Sequence, residues 1–131
     1  MVVDTSALIA IAIGEPSRER LLGALEMARD RVLSSVSLLE AGMVLRAKRG
    51  ENAVSLLYQL VDELVSEVVP FDEVQARQAI RAFGRFGKGM GHGAHLNFGD
   101  CAVYALAESR GEPVLATGND FAATDLPCYR L

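Results

Sequence analysis

Short apolar runs alternate with stretches of helical period along this chain, and that alternation restricts the fold more than any other feature. Met1, Val2 and Val3 run apolar into Asp4, and further runs fall at residues 31–34, 67–70, 113–116 and 128–130. None is long enough for a helix, so each reads as a buried strand. The intervening stretches carry apolar residues at three- and four-residue spacing. They predict helices at Thr5–Ile13, stopped by Gly14, and at residues 16–30, opened by Pro16. Others follow at Ser35–Arg49, closed by Gly50, at residues 51–65, at Glu73–Phe86, and from Asn97 to residue 109 before Gly111. Strands separated by helices return to the same end and pair in parallel, so the expectation is an α/β fold with a mainly parallel central sheet flanked by helices. Residues 84–99 hold six glycines and predict a flexible loop. No repeat or linker interrupts the 131 residues, which predicts one domain over 1–131.

Half the residues are hydrophobic and 23% are charged, a balance that excludes a disordered tail. The longest apolar run near the start, residues 7–13, falls short of the ~20 residues that span a bilayer. No Lys or Arg precedes it, and Asp4 stands where a signal peptide would be basic. Cys101 and Cys128 form no CxxC pair, so neither zinc nor a redox motif is indicated. The expectation is a reduced, cytoplasmic protein without a membrane segment.

The net charge of −4 argues at first against a nucleic-acid partner. Its distribution reverses that reading. Residues 74–99 contain no acid but carry Arg77, Arg81, Arg85 and Lys88, with His92 and His95. Because that window is +4, the remainder is −8. Arg77, Arg81 and Arg85 repeat every four residues and share one helical stripe, either a solvated face or a set of phosphate contacts. Arg81, Arg85 and Lys88 are the candidate RNA-binding residues, the last two being nearest the glycine-rich segment.

Several carboxylates sit where such sheets build their sites, beyond the carboxyl ends of the strands. Asp4 follows an apolar run directly, so it is either a helix cap or a paired, functional group. Ser37 and Glu40 have capping-box spacing, yet Glu40 also lies among Val36, Leu38, Leu39, Met43 and Val44, which turns its face inward. Asp100 falls in the first turn after Asn97, where the helix dipole favours an anion. Asp120 follows the 113–116 run at the turn of Gly118 and Asn119. Ionised carboxylates that converge repel one another and need a cation. An all-oxygen set suits Mg²⁺, or Mn²⁺, and such an ion activates water for phosphodiester hydrolysis.

With these features in order, the chain resembles a PIN-domain ribonuclease of the VapC toxin type. The resemblance rests on Val3-Asp4-Thr5-Ser6-Ala7, Leu39-Glu40, Asn97-Phe98-Gly99-Asp100-Cys101 and Val114-Leu115-Ala116-Thr117-Gly118-Asn119-Asp120-Phe121, and it covers essentially the whole chain. It implies a PIN-like three-layer sandwich and Mg²⁺-dependent endonucleolytic cleavage of RNA. It also implies a VapB-type antitoxin and a homodimer. Asp4, Glu40 and Asp100 match the family's first three acids, with Asp4 and Asp100 as metal ligands and Ser6 as support. Many members carry the fourth acid two residues before an Asp-Phe pair, and here that position is Gly118. The fourth place therefore falls to Asp120, or to Asn119 holding a metal-bound water.

Other readings are weaker. A haloacid-dehalogenase phosphatase needs a second Asp two residues after the first, where Ser6 stands. A receiver domain wants an Asp after the third strand and a Lys after the fifth, whereas Pro70 occupies the first place and no Lys follows Lys88. A catalytically silent RNA-binding module of the same fold would keep the basic segment and lose part of the acid set. Finally, the helices around residues 36–45 and 54–64 are apolar on more than one face. That fits either a central position or a contact with a second copy and an antitoxin segment.

Overall fold

The structure, a computed structural model, describes residues 1–129 and 131. Its order is β1 (Val2–Val3), α1 (Thr5–Ile13), α2 (Arg18–Met27), β2 (Val32–Ser34), α3 (Ser35–Arg49), α4 (Glu51–Leu64), β3 (Glu67–Val69), α5 (Glu73–Phe86), α6 (Phe98–Arg110) and β4 (Val114–Leu115). All four strands are parallel, in the spatial order β3-β2-β1-β4. Strands β1 and β4 are short and continuously apolar because helices cover both faces, leaving no side for polar alternation.

One face packs Leu8, Ile11, Leu21, Leu45 and Leu57 from α1 to α4 beneath Val3 and Leu33. The other packs Ala82, Phe86, Tyr104 and Leu106 from α5 and α6 against Val2, Val32 and Val114. Neighbouring residues of one strand thus feed opposite layers, as the two-residue period of a strand requires. These are the three layers expected. The chain leaves β1 toward β2 and β3, then returns to place β4 on β1's other side. The loops after β1 and β4 therefore diverge, which opens a crevice at the carboxyl ends of these two strands.

Local departures from the expectation have physical causes. Pro16 does not open α2. It sits in a turn closed by Arg18 N–H to the Glu15 carbonyl at 2.9 Å, and the helix begins at Arg18. The Ser37–Glu40 capping box does not form, because α3 starts earlier. Ser34, the last residue of β2, caps it by accepting the Val36 N–H at 3.2 Å, which leaves Ser37 inside the helix. The glycine-rich segment is closed at its base and anchored in the core. Lys88 N–H donates to the Leu96 carbonyl and Leu96 N–H to the Phe86 carbonyl, both at 2.9 Å, and Ala94 and Leu96 are fully buried. Of the last expected strand, Cys128 makes one parallel bridge with Val114, while Arg130 lies outside the described residues. Among the described residues no helix is long and apolar enough to cross a membrane.

Candidate active site

Asp4 ends β1 and caps α1, and both roles fix it. Its N–H donates to the Leu115 carbonyl at 3.0 Å, extending the β1–β4 ladder by one residue. Its Oδ2 accepts the Ser6 N–H at 2.9 Å and the Ser6 hydroxyl at 2.6 Å. Ser6 Oγ in turn accepts the Thr117 N–H at 3.1 Å, so one hydroxyl ties the first carboxylate to the turn after β4. Burial pushes the Asp4 carboxyl above its usual range. The bonds from Ser6 oppose that rise and the charge of Glu40 adds to it.

Glu40 stands one turn beyond Ser37, whose carbonyl accepts the Thr5 hydroxyl at 3.5 Å and thereby joins α3 to α1. The carboxylate of Glu40 lies against the first turn of α6. A Cβ added to Gly99 would collide with it, reaching 3.0 Å from its carboxyl carbon. Glycine at this place lets the Glu40 carboxylate rest directly against the α6 turn.

Asp100 is held by the reciprocal cap at that same turn. Asn97 N–H donates to Asp100 Oδ2, and Asp100 N–H donates to Asn97 Oδ1, both at 2.9 Å. Its carboxyl is pushed up to about 6, by burial first and then by the charges of Asp4, Asp120 and Glu40, against the Asn97 amide. Three acids from other elements thus act on this one group. Asp120 is exposed at the crevice rim and makes no capping bond to the 3-10 turn Phe121–Ala123 that follows it. Asn119 is exposed too and lines a separate cleft of about 440 Å³ with Ala116, Thr117 and Phe121.

The four predicted acids therefore share one neighbourhood, with Asp4, Glu40 and Asp120 all within electrostatic reach of Asp100. Among the described residues, no three acidic, histidine or cysteine side chains stand close enough to enclose a single ion. The hydrogen bonds of Asp4 and Asp100 fall on Oδ2 in each, which leaves Oδ1 of both outside those bonds. Mg²⁺ takes one or two carboxylates and keeps several waters, so the donor chemistry of Asp4 and Asp100 suits such an ion without a protein cage.

The basic residues separate into two groups. Arg77 pairs with Glu73 at 2.7 Å, and Arg85 pairs with Asp125 at 2.8 Å. Arg81 and Lys88 are exposed and form no ion pair among the described residues, and the backbone of Lys88 is bonded beside the entry to α6. His92 packs edge-on against Phe86 and accepts the Ala94 N–H, while His95 is exposed with φ 55°. Sequence reasoning missed Tyr104, Asp125 and the role of Gly99. Only the last had a signal, a glycine beside the Asn97 and Asp100 pair.

The family model of the PIN domain matches residues 1–126. Ribonuclease VapC28 of Mycobacterium tuberculosis is 48% identical over 124 residues, covering 95% of this chain and 93% of that protein. The solved Mycobacterium tuberculosis VapC20, a toxin that cleaves the sarcin-ricin loop, superposes with a TM-score of 0.81 at 21% identity over 99% of this chain and 98% of its own. The DNA-bound VapBC of Salmonella typhimurium gives 0.67 at 23% identity, covering 98% and 95%. At such identities these two structures speak for the fold. The sequence matches go further, because they span nearly the whole length and include the residues around the crevice: this chain belongs to the PIN-domain family, in its VapC ribonuclease group.

Proposed function

We propose that this protein is an endoribonuclease acting as the toxin of a toxin–antitoxin pair, with Mg²⁺ as its ion and Mn²⁺ as a substitute. Divalent-metal dependence comes with the family. One observation carries the reading of the site: beyond its burial, the Asp100 carboxyl is raised by three acids, from the end of β1, from α3 and from the turn after β4, a repulsion that a bound cation relieves. Asp4 and Asp100 would hold the ion. When bound, it supplies a Lewis acid that activates water and offsets charge on the phosphodiester.

The chain's own residues do the rest. Ser6 fixes the orientation of Asp4, and the Asn97 cap fixes Asp100. Glu40 and Asp120 flank the pair and accept a proton from the attacking water or orient it. Arg81 and Lys88 contact RNA phosphates, having no ion pair to give up among the described residues. For its partners we take a VapB-type antitoxin and a second copy of the chain. Cleavage of an RNA library of randomised sequence tests the proposal. Wild type should cut with Mg²⁺ and stop with a chelator, while Asp4→Asn and Asp100→Asn should lose at least about a hundredfold. Chelator-resistant cutting, or undiminished cutting by either variant, would refute it.

A further inference from the structure

We propose that Arg85, Tyr104 and Asp125 form a clamp that positions the 117–120 turn. Arg85 then serves the site through the fold and does not touch RNA. The proposal rests on the ribonuclease reading for what the turn does, and on geometry alone for how the turn is held.

The turn carries Asn119 and Asp120, the candidates for the fourth acid position. Both are exposed, and Asp120 makes no capping bond of its own, so its place depends on what pins the segment around it. At the near end, Thr117 N–H is held by Ser6 Oγ. In the middle, Phe121 is only 4% exposed, in the cluster that contains Phe86 and Tyr104. The following turn braces itself, with the Thr124 hydroxyl on the Phe121 carbonyl at 2.7 Å and Leu126 N–H on Thr124 Oγ1 at 3.2 Å.

Asp125 closes the far end. Its Oδ1 accepts the Tyr104 hydroxyl at 2.7 Å, and its Oδ2 accepts Arg85 Nη2 at 2.8 Å. Arg85 also reaches the Tyr104 hydroxyl with Nη1 at 3.5 Å and lies over the Phe86 ring at 4.5 Å. An exposed ion pair alone contributes little. Here the phenol is what gives the clamp its weight. Tyr104 is 2% exposed, and removing Asp125 leaves a buried hydroxyl without this acceptor. The guanidinium is committed on three sides, to a carboxylate, a hydroxyl and a ring, which is poor preparation for a phosphate.

Hydrogen exchange and RNA binding test the clamp separately. In Tyr104→Phe and Asp125→Ala the Thr117 amide should exchange at least about tenfold faster, while amides in the middle of α3 keep their wild-type rates. Binding of a short unstructured RNA of mixed sequence, measured with a chelator present, should keep its salt slope in Arg85→Ala. A phosphate contact on a single strand would lower that slope by about 0.7. On the randomised library with Mg²⁺, Arg85→Ala, Tyr104→Phe and Asp125→Ala should each lower kcat several-fold at constant KM, and their double variants should lose no more. Unchanged Thr117 exchange in both Tyr104→Phe and Asp125→Ala overturns the clamp. A flattened slope in Arg85→Ala overturns the role given to Arg85 equally. If wild type cuts no RNA, the ribonuclease reading falls, and the exchange result still decides the clamp.

Discussion

Asp100 concentrates the electrostatics of this site, and its proton has a measurable consequence. A free Asp ionises near 3.9, and Asp100 in the folded chain ionises at about 6. Between those values the folded protein keeps a proton that the unfolded chain has lost. Stability of the metal-free protein therefore falls as pH rises through this window, and the full penalty is present above about 6. Asp100→Asn should raise the metal-free Tm near neutral pH and flatten its dependence between about pH 4 and 6. Thermal melts across that range check it, and a lower Tm at neutral pH would oppose the account. Mg²⁺ competes with the same proton, so it should stabilise wild type progressively less as pH drops below about 6. Gly99 offers a second residue-scale test. In Gly99→Ala the new methyl meets the Glu40 carboxylate, the far end of a flexible side chain, which must swing out of its place beside α6. Cleavage should fall at least about tenfold while stability changes by less than about 1 kcal/mol. Equal activity of wild type and variant in single-turnover cleavage would show that Glu40 has room to move.

Elements were legible in the sequence wherever one chemistry fixed them. Gly14 and Gly111 end their helices in the left-handed region, and Asn97 opens α6, as their residue types demand. The acids at the strand ends and at the α6 cap were equally visible, since a carboxylate beside an apolar run needs a reason. What escaped depends on contacts between distant segments. Nothing near Asp125 marks it as the partner of Tyr104, and no local pattern shows that Ala94 and Leu96 would pull a glycine-rich segment into the core. Helix α3 fell between these cases, since two serines three residues apart compete to cap it. The choice of Ser34 can be measured. Ser34→Ala removes the acceptor for the Val36 N–H in a fully buried position and should cost about 1 kcal/mol. Ser37 is buried with its hydroxyl unpartnered, so Ser37→Ala should be neutral or slightly stabilising. Urea denaturation of both variants distinguishes them, and the reverse order would restore Ser37 as the cap.

At the scale of the whole molecule, two grooves gather part of the apolar surface left exposed after folding. Leu45 and Leu57 are fully buried, so α3 and α4 are partly central, but Leu39 and Met43 on α3 are each 64% exposed. They line a groove of about 390 Å³ with Leu38, Val54 and Tyr58, and Ser35 and Arg46 supply polar groups there. A second groove of about 430 Å³ runs between α5 and α6, where Ile80, Phe83 and Phe98 face Phe71 and Cys101 with no charged residue in the lining. Ile80 is 72% exposed and Phe98 is 79% exposed, which marks this groove as a candidate contact surface. Contacts between identical copies are the more apolar class of interface, whereas a groove rimmed by an arginine suits a peptide of mixed charge. For the proposed dimer, the α5–α6 groove is the surface expected to meet the second copy, and the α3–α4 groove the one expected to take an antitoxin segment. Light scattering of the chain alone should give twice the 14.1 kDa of one protomer. Ile80→Asp should return it to one protomer, because an aspartate at the centre of an apolar contact is buried without a partner. Leu39→Asp should leave the mass unchanged and weaken only the complex with the antitoxin. A single-protomer mass for wild type at high concentration would refute the dimer, and dissociation by Leu39→Asp alone would exchange the two assignments.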